Sequence, residues 1–214
     1  MPRCVIARSS NRTCAVASTE PGLEQLSEVE AAAARGELPE WSRVTPRRRE
    51  HMARVARMME DWAHALALPE DECLRWAATG WLHDCLRDED PERLRLETAS
   101  AERDLPGPVL HGPVAARRLA GQVDKRILNA IRYHTIGSPS LDRLGRALYL
   151  ADFLEPGRDF EIEWRAGLAD RMPRELDAVL KEVVASRLVH LIERRKPIRP
   201  ETAGFWSSLV GIGR

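Results

Sequence analysis

ILNAIRYHTIGSPSLDRLGRALYLADFLEPGR, residues 127–158, decides the fold. Ile127, Ala130, Ile131 and His134 recur at helical spacing, which predicts a helix over 125–134 that Asp124 caps. Gly137, Ser138 and Pro139 then form a turn, and Ser140 is the expected cap of a second helix reaching Glu155. On that second helix Leu141, Leu144, Leu148 and Asp152 share a stripe. A carboxylate is thereby placed where the core should be. An uncompensated buried charge costs several kcal/mol, so Asp152 needs a partner. A metal ion is one.

The same pattern extends upstream. Thr45-Pro46 is a cap and first-turn pair for a helix running to about Leu66, and His51 shares a stripe on it with Val55, Met58 and Trp62. Pro69-Glu70-Asp71-Glu72 opens the next helix, with acids where the helix dipole favours them. That helix ends near the consecutive pair His83-Asp84, with His83 following Trp76, Thr79 and Gly80 at helical spacing. Residues 86–106, charged and broken by Pro91 and Pro106, read as a long connection with one short helix. His111 precedes Pro113, which lies in the first turn of a helix reaching Ala120. After the Pro156-Gly157 break, Pro173 is the expected start of a final long helix ending near Arg195. Strand-like alternation is nearly absent. The expected fold is all-α, a helical bundle with a metal site in its core. A loose, partly helical extension over 1–40 precedes the domain at 41–206, and a short tail over 207–214 follows it.

His51, His83, Asp84, His111, His134 and Asp152 therefore form one series, which uses four of the chain's six histidines. Imidazole and carboxylate without thiolate suit Fe, Mn, Co or Zn. His64 lies about 220° around its helix from His51 and cannot share its face. His190 stands among Ser186, Glu193 and Arg194, so neither is expected to be a ligand.

Composition excludes other classes. Basic and acidic residues balance at 33 each, which argues against general nucleic-acid or membrane-surface binding. The basic run Arg47-Arg48-Arg49 is followed at once by Glu50 and reads as a solvated helix start. No apolar run approaches the roughly 20 residues of a membrane span. Cys4, Cys14, Cys73 and Cys85 form no close pair, which fits reduced thiols in the cytoplasm.

His51, His83-Asp84 and Asp152 resemble the ligand series of the HD-domain superfamily of metal-dependent phosphohydrolases. HGPVAARRL (111–119), the A-I-x-Y-H-T-x-G turn and the A-D-x-x-E-P-G-R ending resemble one branch more closely. That branch is the YqeK-type symmetrical bis(5′-nucleosyl)-tetraphosphatases. The resemblance covers about residues 45–206, including RPETAGFW near the end.

The resemblance implies a di-iron centre bridged by Asp84. His51, His83 and Asp152 would complete one ion's shell, and His111 with His134 the other's. It implies metal-hydroxide attack on diadenosine tetraphosphate, giving two ADP, with a small-molecule dinucleoside polyphosphate as substrate and no nucleic-acid or membrane partner. Arg87 stands where the family has lysine; it keeps the charge and can grip phosphate, but it is a poor proton donor. Arg158 is the expected phosphate clamp, and Thr135 with Gly137 the expected lining of the nucleotide pocket. Trp76 and Trp81 read as core rather than as base-stacking rings. Other readings are a dNTPase or nucleotide phosphodiesterase of the same superfamily, a di-iron oxygenase, and a nucleotide-sensing scaffold.

Overall fold

The computed structural model describes residues 26–211, and among these it is built of α-helices without strands. The expectations about Cys4 and Cys14 fall outside the described residues. In chain order the helices are α1 (Glu28–Ala34), α2 (Pro46–Ala65), α3 (Glu70–Leu82), α4 (Pro91–Glu97), α5 (His111–Arg118), α6 (Lys125–Tyr133), α7 (Arg143–Leu154), α8 (Ile162–Glu193) and α9 (Pro200–Val210). Two single 3-10 turns, Ser100–Glu102 and Gly107–Val109, lie between α4 and α5. No described helix is long and apolar enough to cross a membrane.

The capping chemistry explains most of the boundaries. The Thr45 hydroxyl accepts from the Arg48 amide at 3.3 Å, and Pro46 occupies the first turn of α2. Asp124 accepts from the Arg126 amide at 2.7 Å and starts α6 as expected. Asp142, not Ser140, caps α7: its carboxylate accepts from the Gly145 amide at 3.0 Å. Ser140 instead turns back to the Ser138 hydroxyl at 2.8 Å, inside the loop that Pro139 shapes. The last helical run begins at Ile162, ahead of Pro173, and is two helices joined at a kink two residues after the proline; buried Leu168 and Met172 supply the apolar stripe of the first. The chain accommodates the proline by leaving helical geometry at Glu175 (φ −130°, ψ 34°).

The compact unit extends beyond 41–206 at both ends. Ala33 of α1 is buried against α3, and the buried Glu30 accepts from the Asp124 amide at 2.6 Å. At the other end α9 runs to Val210 and buries Phe205 and Leu209. Phe205 meets Tyr149 of α7 edge to face at 5.4 Å, and Thr202 donates to the Ile136 carbonyl at 2.7 Å. The last helix thus holds the turn between α6 and α7 in place.

The pairing of α2 with α3 sets the site, because these helices carry His51 and the His83-Asp84 pair. They approach so closely at Gly80 that a Cβ there would lie 2.5 Å from the Ala56 Cα, a backbone atom that cannot step aside. Gly80→Ala is therefore expected to force the helices apart and destabilise the protein by about 1–3 kcal/mol, as overpacked cores do. A denaturant midpoint unchanged from the parent protein would overturn this account of the α2–α3 contact.

Candidate metal centre

Asp84 sits at the middle of the site with its two oxygens facing opposite ways. Oδ1 lies 3.0 Å from His111 Nε2 and 3.5 Å from His134 Nε2. Oδ2 lies 3.5 Å from His83 Nε2 and 3.7 Å from His51 Nε2. Asp152 joins this second side through Oδ1, 3.2 Å from His51 Nε2. One carboxylate therefore stands between two sets of imidazoles, and Asp84 is common to both ligand-type groups, His51–His83–Asp84 and Asp84–His111–His134. All four histidines and Asp84 are buried.

The helices fix which ring nitrogen faces the site. His83 and His134 are the C-cap residues of α3 and α6, and His111 is the first residue of α5. Each turns its Nδ1 to a carbonyl three residues back: Gly80 at 2.7 Å, Ile131 at 2.7 Å and Pro108 at 3.0 Å. A carbonyl only accepts, so Nδ1 carries the proton and Nε2 presents a lone pair. His51 lies inside α2, where nearby carbonyls are already used, and its Nδ1 takes a side-chain partner, Glu155, at 3.1 Å. With their proton on Nδ1, His111 and His134 would face each other with two lone pairs 3.1 Å apart. His51 Nε2 and His83 Nε2 are buried with no hydrogen-bond partner. Such atoms are costly to bury unless something positive sits among them. The donor set fits divalent metal ions, and these residues could hold them.

The titrations carry the same charge pattern. Burial pushes Asp84 upward, but the His83 field and the close His111 and His134 rings outweigh it and hold the carboxyl well below its usual range. Asp152 is held low likewise, burial being outweighed by His51 and Arg158. For His51 burial works downward, yet Asp152 and Glu155 raise it to about 9, so with no ion beside it the ring takes a second proton on Nε2, the atom a metal would occupy instead. Burial lowers His111.

Arg48 and Glu155 belong to the site although the sequence reading assigned them no such role. Arg48, expected to be part of a solvated helix start, donates from Nη1 to Asp84 Oδ2 at 2.7 Å. Glu155 is 2% exposed and accepts from His51, from Arg54 Nε at 2.5 Å and from the Gly157 amide at 2.8 Å. The signal for it was available: it stands three residues after Asp152 at the end of α7, on the same face. Asp88 accepts from the Thr45 amide and hydroxyl at 2.8 and 2.9 Å, tying the start of α2 to the segment after Asp84.

A cleft of about 1170 Å³ opens from this centre. Arg87 lines it, and no hydrogen bond or ion pair to a described residue holds its side chain. Thr135 lines it too, with its hydroxyl 3.1 Å from His134 Nε2 and its carbonyl accepting from Arg187 at 2.7 Å. Arg158 reaches the cleft but spends donors on Asp152, at 2.7 Å to Oδ1 and 3.0 and 2.7 Å to the carbonyl. It orients a candidate ligand as well as edging the cleft. Gly137, expected beside Thr135 in the nucleotide pocket, is buried and is not among the residues that line the cleft. Its φ of +74° and the 2.3 Å that would separate a Cβ from the Phe205 ring require glycine for backbone and packing reasons. Trp76 is buried, and neither it nor Trp81 lines the cleft. His64 is exposed and groups with Glu70 and Cys73, and His190 is exposed on the outer cleft wall.

Residues 48–157, just over half of the chain, match the HD domain. The chain is 36% identical over 104 residues to a protein of Bacillus subtilis (strain 168) named symmetrical bis(5′-nucleosyl)-tetraphosphatase, covering 47% of this chain and 54% of that protein. A Halalkalibacterium halodurans protein of the same name is 26% identical over 130 residues, covering 58% of this chain and 68% of the relative. The match thus spans about half to two thirds of these relatives' lengths. Among solved structures, a predicted HD superfamily hydrolase involved in NAD metabolism from Clostridium acetobutylicum superposes with a TM-score of 0.69. It is 21% identical, and the match covers 79% of this chain and 92% of that one, a likeness of fold. The chain belongs to the HD domain family.

Proposed function

We propose that the protein is a metal-dependent hydrolase that cleaves dinucleoside tetraphosphates, diadenosine tetraphosphate among them, symmetrically into two nucleoside diphosphates. The observation that carries the reading is Asp84, whose two oxygens face separate histidine sets at the foot of a cationic cleft. The names of the B. subtilis and H. halodurans relatives support the substrate class. Two divalent ions held there, iron by preference and Mn, Co or Zn by the same donor chemistry, would polarise phosphate oxygens and lower the pKa of water.

The chain's own residues supply the rest. Arg87 extends an uncommitted guanidinium into the cleft beside His111, where it can take phosphate oxygens in bidentate fashion. Arg158 fixes Asp152 and adds positive charge at the rim. Further out, Arg187, Lys196 and Arg199 line the same cleft and extend its positive field along a polyphosphate. The cleft volume exceeds the roughly 300–1,000 Å³ of ordinary small-molecule sites, as a substrate with two nucleosides requires. A cationic cleft of this volume suits a polyanion better than the small substrate of an oxygenase.

The test is anaerobic incubation with diadenosine tetraphosphate after loading with Fe(II), Mn(II) or Co(II), with products separated by chromatography. Two ADP per substrate are expected. AMP plus ATP would place the cleavage elsewhere. Turnover of deoxynucleoside triphosphates or cyclic nucleotides with none of the dinucleotide would replace this substrate class by another phosphoester.

A further inference from the structure

We infer that the exposed ring of Phe160 is the stacking platform for one nucleobase of the substrate, held in place by the buried guanidinium of Arg165. The inference rests on the nucleotide reading above and adds a base-recognition residue to it. Phe160 lines the cleft, and 41% of it is exposed, so the ring is open to a ligand there.

The loop is built around Arg165. This arginine is 2% exposed and lies with its guanidinium 4.8 Å from the Phe160 ring centroid. It donates to the Phe153 carbonyl at 3.0 Å, the Arg158 carbonyl at 3.2 Å, the Phe160 carbonyl at 3.3 Å and the Glu155 carbonyl. One buried cation therefore gathers the loop that leaves α7, and burying it is tolerable because its donors are used. Glu161, next to the ring, adopts φ +44°, which a non-glycine residue takes only when its surroundings enforce it. Phe153 supports the ring edge to face at 5.7 Å.

The loop also ties the ring to the centre. Arg158, two residues before Phe160, holds Asp152, and the Arg158 and Phe160 carbonyls share the same Arg165 nitrogen. A base on the ring would thus be positioned by the loop that positions a candidate metal ligand. Every base offers a π-face, so a fixed aromatic ring recognises a nucleoside without choosing its identity. The phosphates of the same ligand would lie along Arg158 and Arg187, and Arg187 itself rests 5.8 Å from the Phe153 ring.

The test is calorimetric titration of the Mn(II)-loaded protein with ADP and, separately, with pyrophosphate, which has the phosphates but no base. Phe160→Ala is expected to weaken ADP about tenfold and to change pyrophosphate less than about twofold, while Phe160→Trp keeps ADP binding near the parent value. The ring is at the surface, so the variants should melt with the parent protein, and a melting curve checks this. Unchanged ADP affinity in Phe160→Ala, with the parent protein preferring ADP to pyrophosphate, overturns the platform alone. Equal loss of both ligands overturns it too, since the ring would then be supporting the site as a whole. A parent protein that binds ADP no more tightly than pyrophosphate overturns both the platform and the nucleotide reading.

Discussion

Asp84→Asn is expected to cost the protein both metal ions together and to reduce hydrolysis by about 10³-fold or more, beyond the 10- to 100-fold typical of losing an outer partner of a ligand. The reason is the division of its oxygens. Oδ1 faces His111 and His134, Oδ2 faces His83 and His51, and no other residue belongs to both groups. An amide keeps the shape but removes the charge, and it turns one acceptor into an NH2 donor aimed at imidazole lone pairs. Folding should survive, because the Arg48 guanidinium that pairs with Asp84 is partly exposed and can be rehydrated. Metal analysis after dialysis gives the decisive reading: none retained in the variant, two per chain in the parent protein. His111→Ala should leave one ion, on the His51 side. An Asp84→Asn protein that keeps two ions would remove Asp84 from the bridging position and with it the division of the site described above.

The residues that lie together at the centre were legible because chemistry forced them into view. Asp152 breaks an apolar stripe on α7, and His134 ends the buried face of α6, so each advertises a cost that the fold has to offset. His64 was separable from His51 by the angle around α2 alone, and it is exposed in the structure. The start of α2 was legible because a cap and a proline coincide at Thr45-Pro46. The helical stretch from Ile162 to the kink was not legible, although the break itself, at Glu175, lies two residues after Pro173. Arg48 was out of reach for another reason. In sequence it is one of three consecutive arginines, and only the crossing of α2 over the segment after α3 selects it for Asp84. Gly137 sits beside His134 in the chain, but its neighbour in space is Phe205, a contact made by the last helix. Nearness in sequence to a ligand was there a poor guide to the cleft.

Three of the four site histidines owe their orientation to local backbone, through the i to i−3 bond at a helix end. Any sequence that ends its helices there orients those rings. His51 is different, because its orientation depends on a residue 104 positions away. Both histidines of the His111–His134 side are therefore oriented locally, whereas on the other side His83 is oriented locally and His51 only by tertiary structure. The second side should be the more sensitive to changes outside the ligands.

Glu155→Gln tests that asymmetry. Burial pushes the Glu155 carboxyl upward, but hydrogen bonds from His51, Arg54 and the Gly157 amide hold it near 2, so it is ionised at any working pH. As a carboxylate it accepts from His51 Nδ1 and Arg54 Nε at once, which keeps a proton on Nδ1 and leaves Nε2, facing Asp152 and Asp84, as the nitrogen that exchanges its proton for a metal. A glutamine has one oxygen for these two donors, and its NH2 can meet His51 only if the ring gives up its Nδ1 proton or turns. The expected outcome is a 10- to 100-fold weaker affinity for one ion and a comparable loss of turnover, with KM little changed. A two-step metal titration should show the second ion, on His111 and His134, binding as before. Glu155→Asp, which keeps the charge but is shorter, should fall between the two. A variant that merely loosened the loop after α7 would lower the melting temperature and leave the two metal affinities alone, and that result would reduce Glu155 to an anchor for Arg54. Equal weakening of both ions would instead mean that Asp84 transmits every change on the His51 side to the other, and that the two halves of the centre act as one.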